Sequence, residues 1–334
     1  MVAGSDAGRS AEGNAVVRGG SGGSGAGEPT IHQLRLFLAL SEELHFSRTA
    51  KRLFMTQSAL SQQIRDLEKR LGIRLLERTS RTVELTPAGQ ALLPEIGASV
   101  AATDRLRRAA DAQLRQLSGQ LVVGAIGAEA AMPHTRAVLQ ALHARHPAIG
   151  IRIVSLNFVD HVAALIQDEV DVVFLRPPVP EGIELHHLAT EPRVACLSAD
   201  DPLAALERIT LAQLANHPVV DVPARAPRVW WDFWAVDPRP DGTPVRYGPV
   251  VTDMEALLHA VAHGQAMCFL PAAARHFFPR PGVRYVDVVD LPPSHSALAW
   301  LEKNRTRPTV LAVRRAARSL RSSSETEYPW DGDG

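Results

Sequence analysis

One segment of the chain combines hydroxyl, amide and cationic side chains at helical spacing. Within residues 57–70, the apolar residues Leu60, Ile64 and Leu67 recur at steps of four and three, which predicts a helix with one buried stripe. At about 100° per residue, the opposite face carries Ser58, Ser61, Gln62, Arg65 and Lys69. Such side chains hydrogen-bond to base edges and phosphates in a DNA major groove. For this helix taken alone, a solvated polar face is the alternative.

The segments before this helix predict the elements that would position it. Residues 32–42 have the apolar spacing of a first helix, and a second helix is expected after Phe46 with Ser47 as its N-cap. A short break then leads to Thr56, the expected N-cap of the third helix. Two helices joined by a tight turn, the second polar on its outer face, have the geometry of a helix-turn-helix.

The distribution of charge favours DNA contact over a solvated surface. The whole chain has 36 Lys and Arg against 36 Asp and Glu, which excludes a protein that coats nucleic acid through bulk positive charge. Residues 31–89 nevertheless contain ten Lys and Arg against six Asp and Glu, an excess of four. Residues 78–85 predict a β-wing with arginines at its tip. The residues expected to contact DNA are Ser47, Thr49, Thr56, Gln57, Ser58, Ser61, Gln62, Arg65, Arg78 and Arg81.

A long helix is predicted after the wing. Thr86 followed by Pro87 is a strong helix start, and apolar residues then recur every three or four positions as far as Leu117. A stripe of this length favours a helix that packs along another helix, with packing against the chain's own body as the alternative. Pro94 lies inside the helix and is expected to kink it.

The second half of the chain changes to alternating strands and helices. Strands are predicted at residues 121–124, 151–156 and 170–175, with helices at 136–145 and 160–167. This βαβαβ order predicts a parallel sheet with ligand-binding loops at the carboxyl ends of the strands. The overall fold class is therefore α/β, preceded by a helical domain.

Several other features bear on the class of protein. Residues 1–27 are rich in Gly, Ser and Ala, and residues 322–334 are polar and acidic, so both ends are expected to be disordered. We expect neither a membrane span nor a secretory signal, and two cysteines favour a reduced cytoplasm. No nucleophile elbow, phosphate-binding glycine loop or paired metal motif is present, so we expect no enzymatic activity, catalytic residues or metal.

Two clusters in the second half leave alternatives open. His259 and His263 lie four residues apart, a spacing that can hold a metal, but with no third ligand evident we interpret them as ordinary helix residues. Residues 229–234 (VWWDFW) form an aromatic cluster that is expected to pack in the interior. The alternative is that a tryptophan of this cluster borders a ligand cleft or an oligomer contact.

The stretch from Leu34 to Pro94 resembles the DNA-binding domain of LysR-type transcriptional regulators. The matched positions are Phe37, Ala50, Leu53, Thr56, Gln57, Ala59, Leu60, Ser61, Gln63, Ile64, Leu67, Glu68, Leu71, Gly72, Leu75, Arg78, Leu85, Thr86, Ala88 and Gly89. The stretch departs from the family pattern at Ser58 and Leu76. The resemblance implies a winged helix-turn-helix that binds a double-stranded operator. It also implies a homodimer or homotetramer built through the linker helix, with RNA polymerase as a further partner.

The chain from Gln120 onward resembles the family's effector domain, which is similar to type 2 periplasmic binding proteins. The matching pieces include Gly119–Gly124, Arg145–Pro147, Glu169–Phe174, Asp201–Ala204 and Gly264–Pro271. The resemblance implies two subdomains, with crossings near Arg176–Pro178 and Pro281, around a cleft for a small-molecule effector. The ligand-binding residues it implies are Ala128, Glu129, Phe158, Arg176, Thr252 and Asp253. The charge of Glu129 weakens the case for a carboxylate ligand, although Arg176 could restore it, so the ligand class stays open.

The expected architecture follows from these observations. A tail (1–28) precedes a winged helix-turn-helix domain (29–86) and a linker helix (87–118). The effector domain (119–321) comprises subdomain I (119–176 and 282–321) and subdomain II (177–281), and a second tail (322–334) ends the chain. The expected function is that of a sequence-specific transcriptional regulator, activator or repressor, that needs no cofactor beyond its effector.

Overall fold

The computed structural model describes residues 27–78 and 82–320, with Arg78 described by its backbone alone. The described residues form two compact units, and the boundary between them lies between Asp104 and Arg105, within one long helix. The two expected disordered tails fall outside the described residues, apart from Gly27 and Glu28.

The first unit is a three-helix domain with a two-stranded wing. Its helices are α1 (Ile31–Glu43), α2 (Phe46–Arg52) and α3 (Gln57–Leu71), followed by the antiparallel strands β1 (Leu76–Arg78) and β2 (Val83–Leu85). The apolar stripe of α3 is completely buried and meets Phe37 and Leu40 of α1 in the core. The helical spacing of the sequence thus predicted all three helices to within two residues.

The start of α2 differs from the prediction. The helix begins at Phe46, and its N-cap is His45, whose Nδ1 accepts a hydrogen bond of 3.2 Å from the backbone N–H of Arg48. Ser47 lies inside the first turn, so its predicted capping role is wrong. Phe46 is buried, and its place in the first helical turn allows it to join the core. Thr56 caps α3 as predicted, since its hydroxyl accepts from the N–H of Ala59 at 3.2 Å.

The long helix α4 (Pro87–Leu117) begins where the Thr-Pro pair predicts and continues through Pro94. Its apolar stripe divides into two parts. Ile96 and Val100 are buried in the core of the first unit, as the alternative interpretation required. Leu106, Leu114 and Leu117 are 72%, 64% and 85% exposed. The second part of the stripe is therefore uncovered in the single chain.

The second unit contains a five-stranded sheet and a four-stranded sheet. The five-stranded sheet has the order β4-β3-β5-β13-β6, formed by β3 (Gln120–Ile126), β4 (Gly150–Leu156), β5 (Val172–Leu175), β6 (Ile183–Glu191) and β13 (Ser294–Leu301). The predicted βαβαβ unit is confirmed, because β3 pairs in parallel with both β4 and β5. The helices α5 (Pro133–Arg145), α6 (His161–Ile166) and α10 (Pro308–Leu320) accompany this sheet.

The four-stranded sheet has the order β11-β7-β12-β8. Its strands are β7 (Arg193–Ser198), β8 (Arg208–Ile209), β11 (Cys268–Pro271) and β12 (Val283–Val288), and a parallel pair, β9 (Val219–Asp221) and β10 (Tyr247–Val250), lies in the same subdomain. The helices of this part are α7 (Arg228–Ala235), α8 (Met254–Ala262) and α9 (Ala274–Phe277). Cys196 and Cys268 lie opposite each other on β7 and β11, and both are buried.

Both predicted crossings between the subdomains are wrong. Strand β6, expected in subdomain II, pairs with β13 in the first sheet, so the chain leaves that sheet at Pro192. Strand β12, expected in subdomain I, pairs with β7 in the second sheet, so the chain returns within residues 289–293. Strand β5 ends at Leu175, where the predicted strand also ended, and Arg176 and the two prolines follow it. The loop after them brings the chain back to the same sheet, which the presence of prolines does not reveal.

Candidate functional site

The outer face of α3 presents a connected set of polar side chains. Gln57, Ser58, Gln62 and Arg65 are exposed and Ser61 is half-buried. The guanidinium of Arg65 donates to Ser61 at 2.8 Å and to the Oε1 of Gln62 at 2.7 Å. These bonds hold the cation across one turn of the helix, where it can face a phosphate while the amide and hydroxyl face base edges.

A contact between α2 and α3 orients the first residue of α3. The hydroxyl of Ser47 donates to the Oε1 of Gln57 at 2.7 Å, so two of the predicted DNA-contact residues lie side by side. Thr49 is a correction to the prediction. It faces the core and is completely buried, so its side chain is not available to DNA. Arg81 lies outside the described residues, and of Arg78 only the backbone in β1 is described.

The wing is attached to α3 and α4 by hydrogen bonds of two side chains, Glu68 and Thr86. Oε1 of Glu68 accepts from the backbone N–H of Leu75 at 2.9 Å and of Leu76 at 3.1 Å, which fixes the start of β1. The hydroxyl of Thr86 donates to the Arg74 carbonyl at 2.7 Å and accepts from Gly89 N–H at 2.9 Å. A Cβ at Gly89 would overlap the carbonyl oxygen of Leu75, so only glycine fits here. These contacts give a physical reason for Glu68 and for the Thr86-to-Gly89 spacing.

The second unit contains a cavity of about 80 Å³. Its lining comes from the loop after β3, the segment before α6, the end of β5, helices α7 and α8, and β11 with the residues after it. The lining is mostly apolar, and its aromatic members are Phe158, Trp230, Trp231, Trp234, Phe269 and Phe278. Trp230 is fixed by a hydrogen bond of 2.8 Å from its Nε1 to the Arg176 carbonyl, and Phe158 stacks on it at 6.1 Å between ring centroids.

A buried charged network forms one side of the cavity. The guanidinium of Arg176 lies 2.7 Å from Glu129 through Nε, and it also pairs with Glu191. Its third nitrogen donates to Ser294 at 3.1 Å. Ser296 donates to Glu129 at 2.6 Å and lies 2.8 Å from Nε2 of His134. Because a hydroxyl carries one proton, the Ser296 oxygen accepts from the imidazole while it donates to the carboxylate. The same Nε2 of His134 also lies 3.3 Å from Oε2 of Glu129, so its N–H is shared between the two acceptors.

Two buried groups beside the cavity, Glu129 and His161, have shifted pKa values. Burial raises the pKa of the Glu129 carboxyl, but the Arg176 charge and hydrogen bonds from His134 and Ser296 outweigh it and hold the pKa below its ordinary value. Glu129 is therefore a carboxylate paired within the protein. Burial lowers the pKa of His161 to about 4, although its hydrogen bond to the Phe158 carbonyl opposes the shift. His161 is consequently neutral at pH 7.

Comparison with known proteins identifies the family. Residues 31–90 match "Bacterial regulatory helix-turn-helix protein, lysR family", and residues 114–321 match "LysR substrate binding domain". The second match alone covers more than half of the chain. The chain belongs to the LysR family of DNA-binding transcriptional regulators.

Curated relatives and solved structures agree with this assignment. The chain is 34% identical over 297 residues to the HTH-type transcriptional regulator IlvR of Caulobacter vibrioides, covering 85% of this chain and 96% of the relative. It is 29% identical over 250 residues to AlsR of Bacillus subtilis, covering 74% and 82%. The crystal structure of CbnR aligns at 22% identity with a TM-score of 0.53, over 87% of this chain and 98% of CbnR, which shows a shared fold.

The structure brings together four of the six residues predicted to bind the effector of this LysR-family chain. Ala128, Glu129, Phe158 and Arg176 all line the cavity. Thr252 and Asp253 are a correction, because both are exposed and neither belongs to the lining. Asp253 instead caps α8 by accepting from the N–H of Ala256 at 2.8 Å, and Thr252 donates to Asp253 at 3.1 Å.

The tryptophans of α7 are the largest group that the ligand-site prediction omitted. Within residues 229–234, Trp230, Trp231 and Trp234 are buried, as the interior prediction required, and the same three side chains line the cavity. The only signal in the sequence was the number of aromatic residues in this segment.

Among the described residues no group of three or more potential ligands could hold a metal, and the rings of His259 and His263 lie 4.2 Å apart between centroids at an interplanar angle of 36°. No described helix is long and apolar enough to span a membrane.

Proposed function

We propose that this LysR-family regulator binds its operator through the exposed N-terminal face of α3. Gln57 and Ser61 read base edges, while Arg65 contacts the phosphate backbone. The observation that carries this assignment is the polar face of α3, which is ordered by the Ser47–Gln57 and Arg65–Ser61 hydrogen bonds while its opposite stripe is buried. The assignment of Arg78 and Arg81 to a contact between the wing and the DNA backbone rests on the predicted hairpin over residues 78–85, which carries these arginines at its tip.

The test is selection of bound sequences from a randomised DNA duplex library by the full chain. Gln57→Ala and Ser61→Ala should change the selected sequences, since a lost bidentate or hydroxyl contact costs about 1–3 kcal/mol of discrimination. Arg65→Ala should weaken binding to all sequences and reduce the salt slope. Gln265→Ala, at an exposed glutamine of the second unit, is the matched control. Unchanged selection by both Gln57→Ala and Ser61→Ala would contradict the assignment.

We also propose that a small effector in the cavity controls operator binding or activation. The cavity is lined from both subdomains, so a ligand can favour one relative arrangement of them by binding it more tightly. Ala128 lies half-buried in the lining, and Ala128→Trp should occupy the space intended for the ligand. The variant should bind the operator but lose the change in DNase footprint that a ligand found by thermal-shift screening produces. Ala199→Trp, at an exposed alanine outside the lining, should keep that response.

A further inference from the structure

The charges that line the cavity are already paired within the protein. In the described part of the chain, Glu129 and Arg176 are the charged members of the lining. Their side chains are 5% and 9% exposed, and Glu191, which shares the guanidinium with Glu129, is 2% exposed. One buried cation therefore faces two buried carboxylates, which leaves this side of the cavity with a net negative charge when His134 is neutral.

Every carboxylate oxygen in this network has a donor from the protein. Oε1 of Glu129 faces Arg176, and its Oε2 accepts from Ser296. Oε1 of Glu191 faces Arg176, and its Oε2 accepts from the backbone N–H of Ala273 at 2.8 Å. All three guanidinium nitrogens of Arg176 already contact Glu129, Glu191 or Ser294, so an anionic ligand would compete with these buried partners, and a buried carboxylate that loses its partner is strongly destabilising. An organic cation would enter a mostly apolar space in which both carboxylates already have partners from the protein.

The charged residues beside the cavity also have a structural role, which explains why charges are buried there. Glu191 ends β6 in the first sheet, Ser294 begins β13 of the same sheet, and Ala273 directly precedes α9 in the other subdomain. The Glu191–Ala273 bond thus joins the two subdomains beside the crossing at Pro192. Arg176 anchors Glu191 from the end of β5 and, through its carbonyl, the indole of Trp230 on α7. The charges fasten the subdomains together beside the cavity.

We propose that the effector of this regulator is a compact, uncharged aromatic molecule and that the network of Arg176, Glu129 and Glu191 joins the subdomains rather than binding a ligand carboxylate. The inference rests on the proposed effector role of the cavity. Aromatic rings from α7 and β11 and the thioether-bearing Met132 and Met254 supply apolar and polarisable contacts to a ring. The volume of about 80 Å³ favours a single ring over an extended ligand.

Three probes of similar size separate the ligand classes. Benzyl alcohol, benzoate and benzylammonium are titrated into the full chain at pH 7 by isothermal calorimetry, with saturation-transfer NMR as a second readout. We expect benzyl alcohol to bind with a dissociation constant of about 1 mM or below and the two ions to bind at least about tenfold more weakly. Tighter binding of benzoate or of benzylammonium overturns the proposal, and so does the absence of binding by benzyl alcohol at about 10 mM.

Matched tryptophan variants locate the binding. Trp231→Phe removes part of a ring that lines the cavity and should weaken benzyl alcohol binding about threefold or more. Trp300→Phe alters a buried tryptophan on β13 that is outside the lining and should leave the affinity unchanged. Equal effects of the two variants would overturn the placement of the ligand. Operator binding by the full chain is measured separately, without any probe. Failure to bind an operator would count against the proposed function, whereas a preference for benzoate would count only against this inference.

Discussion

At the scale of single residues, buried polar side chains with distant partners determine the chemistry of this regulator. Glu129 and Arg176 are 47 positions apart, and Glu191 and Ser294 are supplied by other strands. Both Glu129 and Arg176 were predicted from the sequence as ligand-binding residues, and Arg176 was considered as a partner for a ligand carboxylate. Only the fold shows that the two residues neutralise each other, because the pairing depends on which strands are adjacent.

The buried His161 predicts a specific dependence of stability on pH. The pKa of the ring is about 4 in the folded chain against 6.5 in the unfolded chain. Between these values the unfolded chain binds a proton that the folded chain does not, so the free energy of unfolding falls as the pH falls through this window. Lowering the pH from 7 to 5 should cost about 2 kcal/mol through this residue alone.

The measurement is urea unfolding followed by tryptophan fluorescence, because Trp230 contacts the His161 ring at 5.1 Å between centroids. His161→Gln removes the titrating group, so its loss of stability between pH 7 and pH 5 should be smaller than that of the parent chain by about the same 2 kcal/mol. Other groups titrate in both chains, and the difference between the chains isolates His161. Parallel stability curves for the two chains would contradict the burial of a neutral imidazole.

At the scale of elements, periodic apolar spacing predicted helices and parallel strands well, and it failed where ends and connections depend on tertiary contacts. The stripe of α3 and the β3-β4-β5 unit follow from local pattern. The His45 cap was missed because histidine is not a preferred capping residue and the burial of Phe46 sets the start. Strands β6 and β12 were assigned to the wrong subdomains because sheet pairing joins residues far apart in sequence.

The turn between α2 and α3 contains backbone strain that a substitution should relieve. Phe54 has a φ of 53° and is 98% exposed, so a bulky side chain occupies the left-handed region without any burial to offset the cost. Phe54→Asn should stabilise the first unit by about 1 kcal/mol, because asparagine tolerates this conformation better. Thermal unfolding provides the measurement. Phe54→Ala is the control, since it removes the ring but keeps the Cβ responsible for the strain, and an equal gain from alanine would contradict this explanation.

The exposed leucines of α4 predict self-association through this helix. Leu106, Leu114 and Leu117 lie at steps of eight and three residues, and a second copy of the chain would cover them. Leu114→Lys should lower the association constant at least about tenfold by placing a charge in an apolar contact. Sedimentation equilibrium measures this change. Gln113→Lys adds the same charge at an exposed position turned about 100° from Leu114, and it should have little effect. Equal dissociation in both variants would point to an interface elsewhere.

At the scale of the whole molecule, DNA reading and ligand sensing are assigned to separate units that share one helix. The division into a DNA-binding domain and an α/β effector domain was predictable because the change of hydrophobic period near Gly119 is a property of the sequence itself. The arrangement of the cavity could not be predicted, because its lining residues are spread from 126 to 278 and come together only in the folded unit. This explains why the DNA-reading face was predicted in more detail than the ligand site.

Cys196 and Cys268, which face each other on adjacent strands of the second sheet, allow the rate at which that sheet opens to be measured. Cys196 and Cys268 are the two cysteines of the chain, both are almost completely buried, and burial raises the pKa of Cys196. A disulfide reagent added to the native protein can therefore react only when this part of the sheet opens, because access to either thiol requires opening. The rate of labelling then measures the frequency of that opening. Phe269 and Leu270 of β11 line the cavity beside Cys268, so a molecule bound there should slow the labelling of both thiols, whatever it does to DNA affinity.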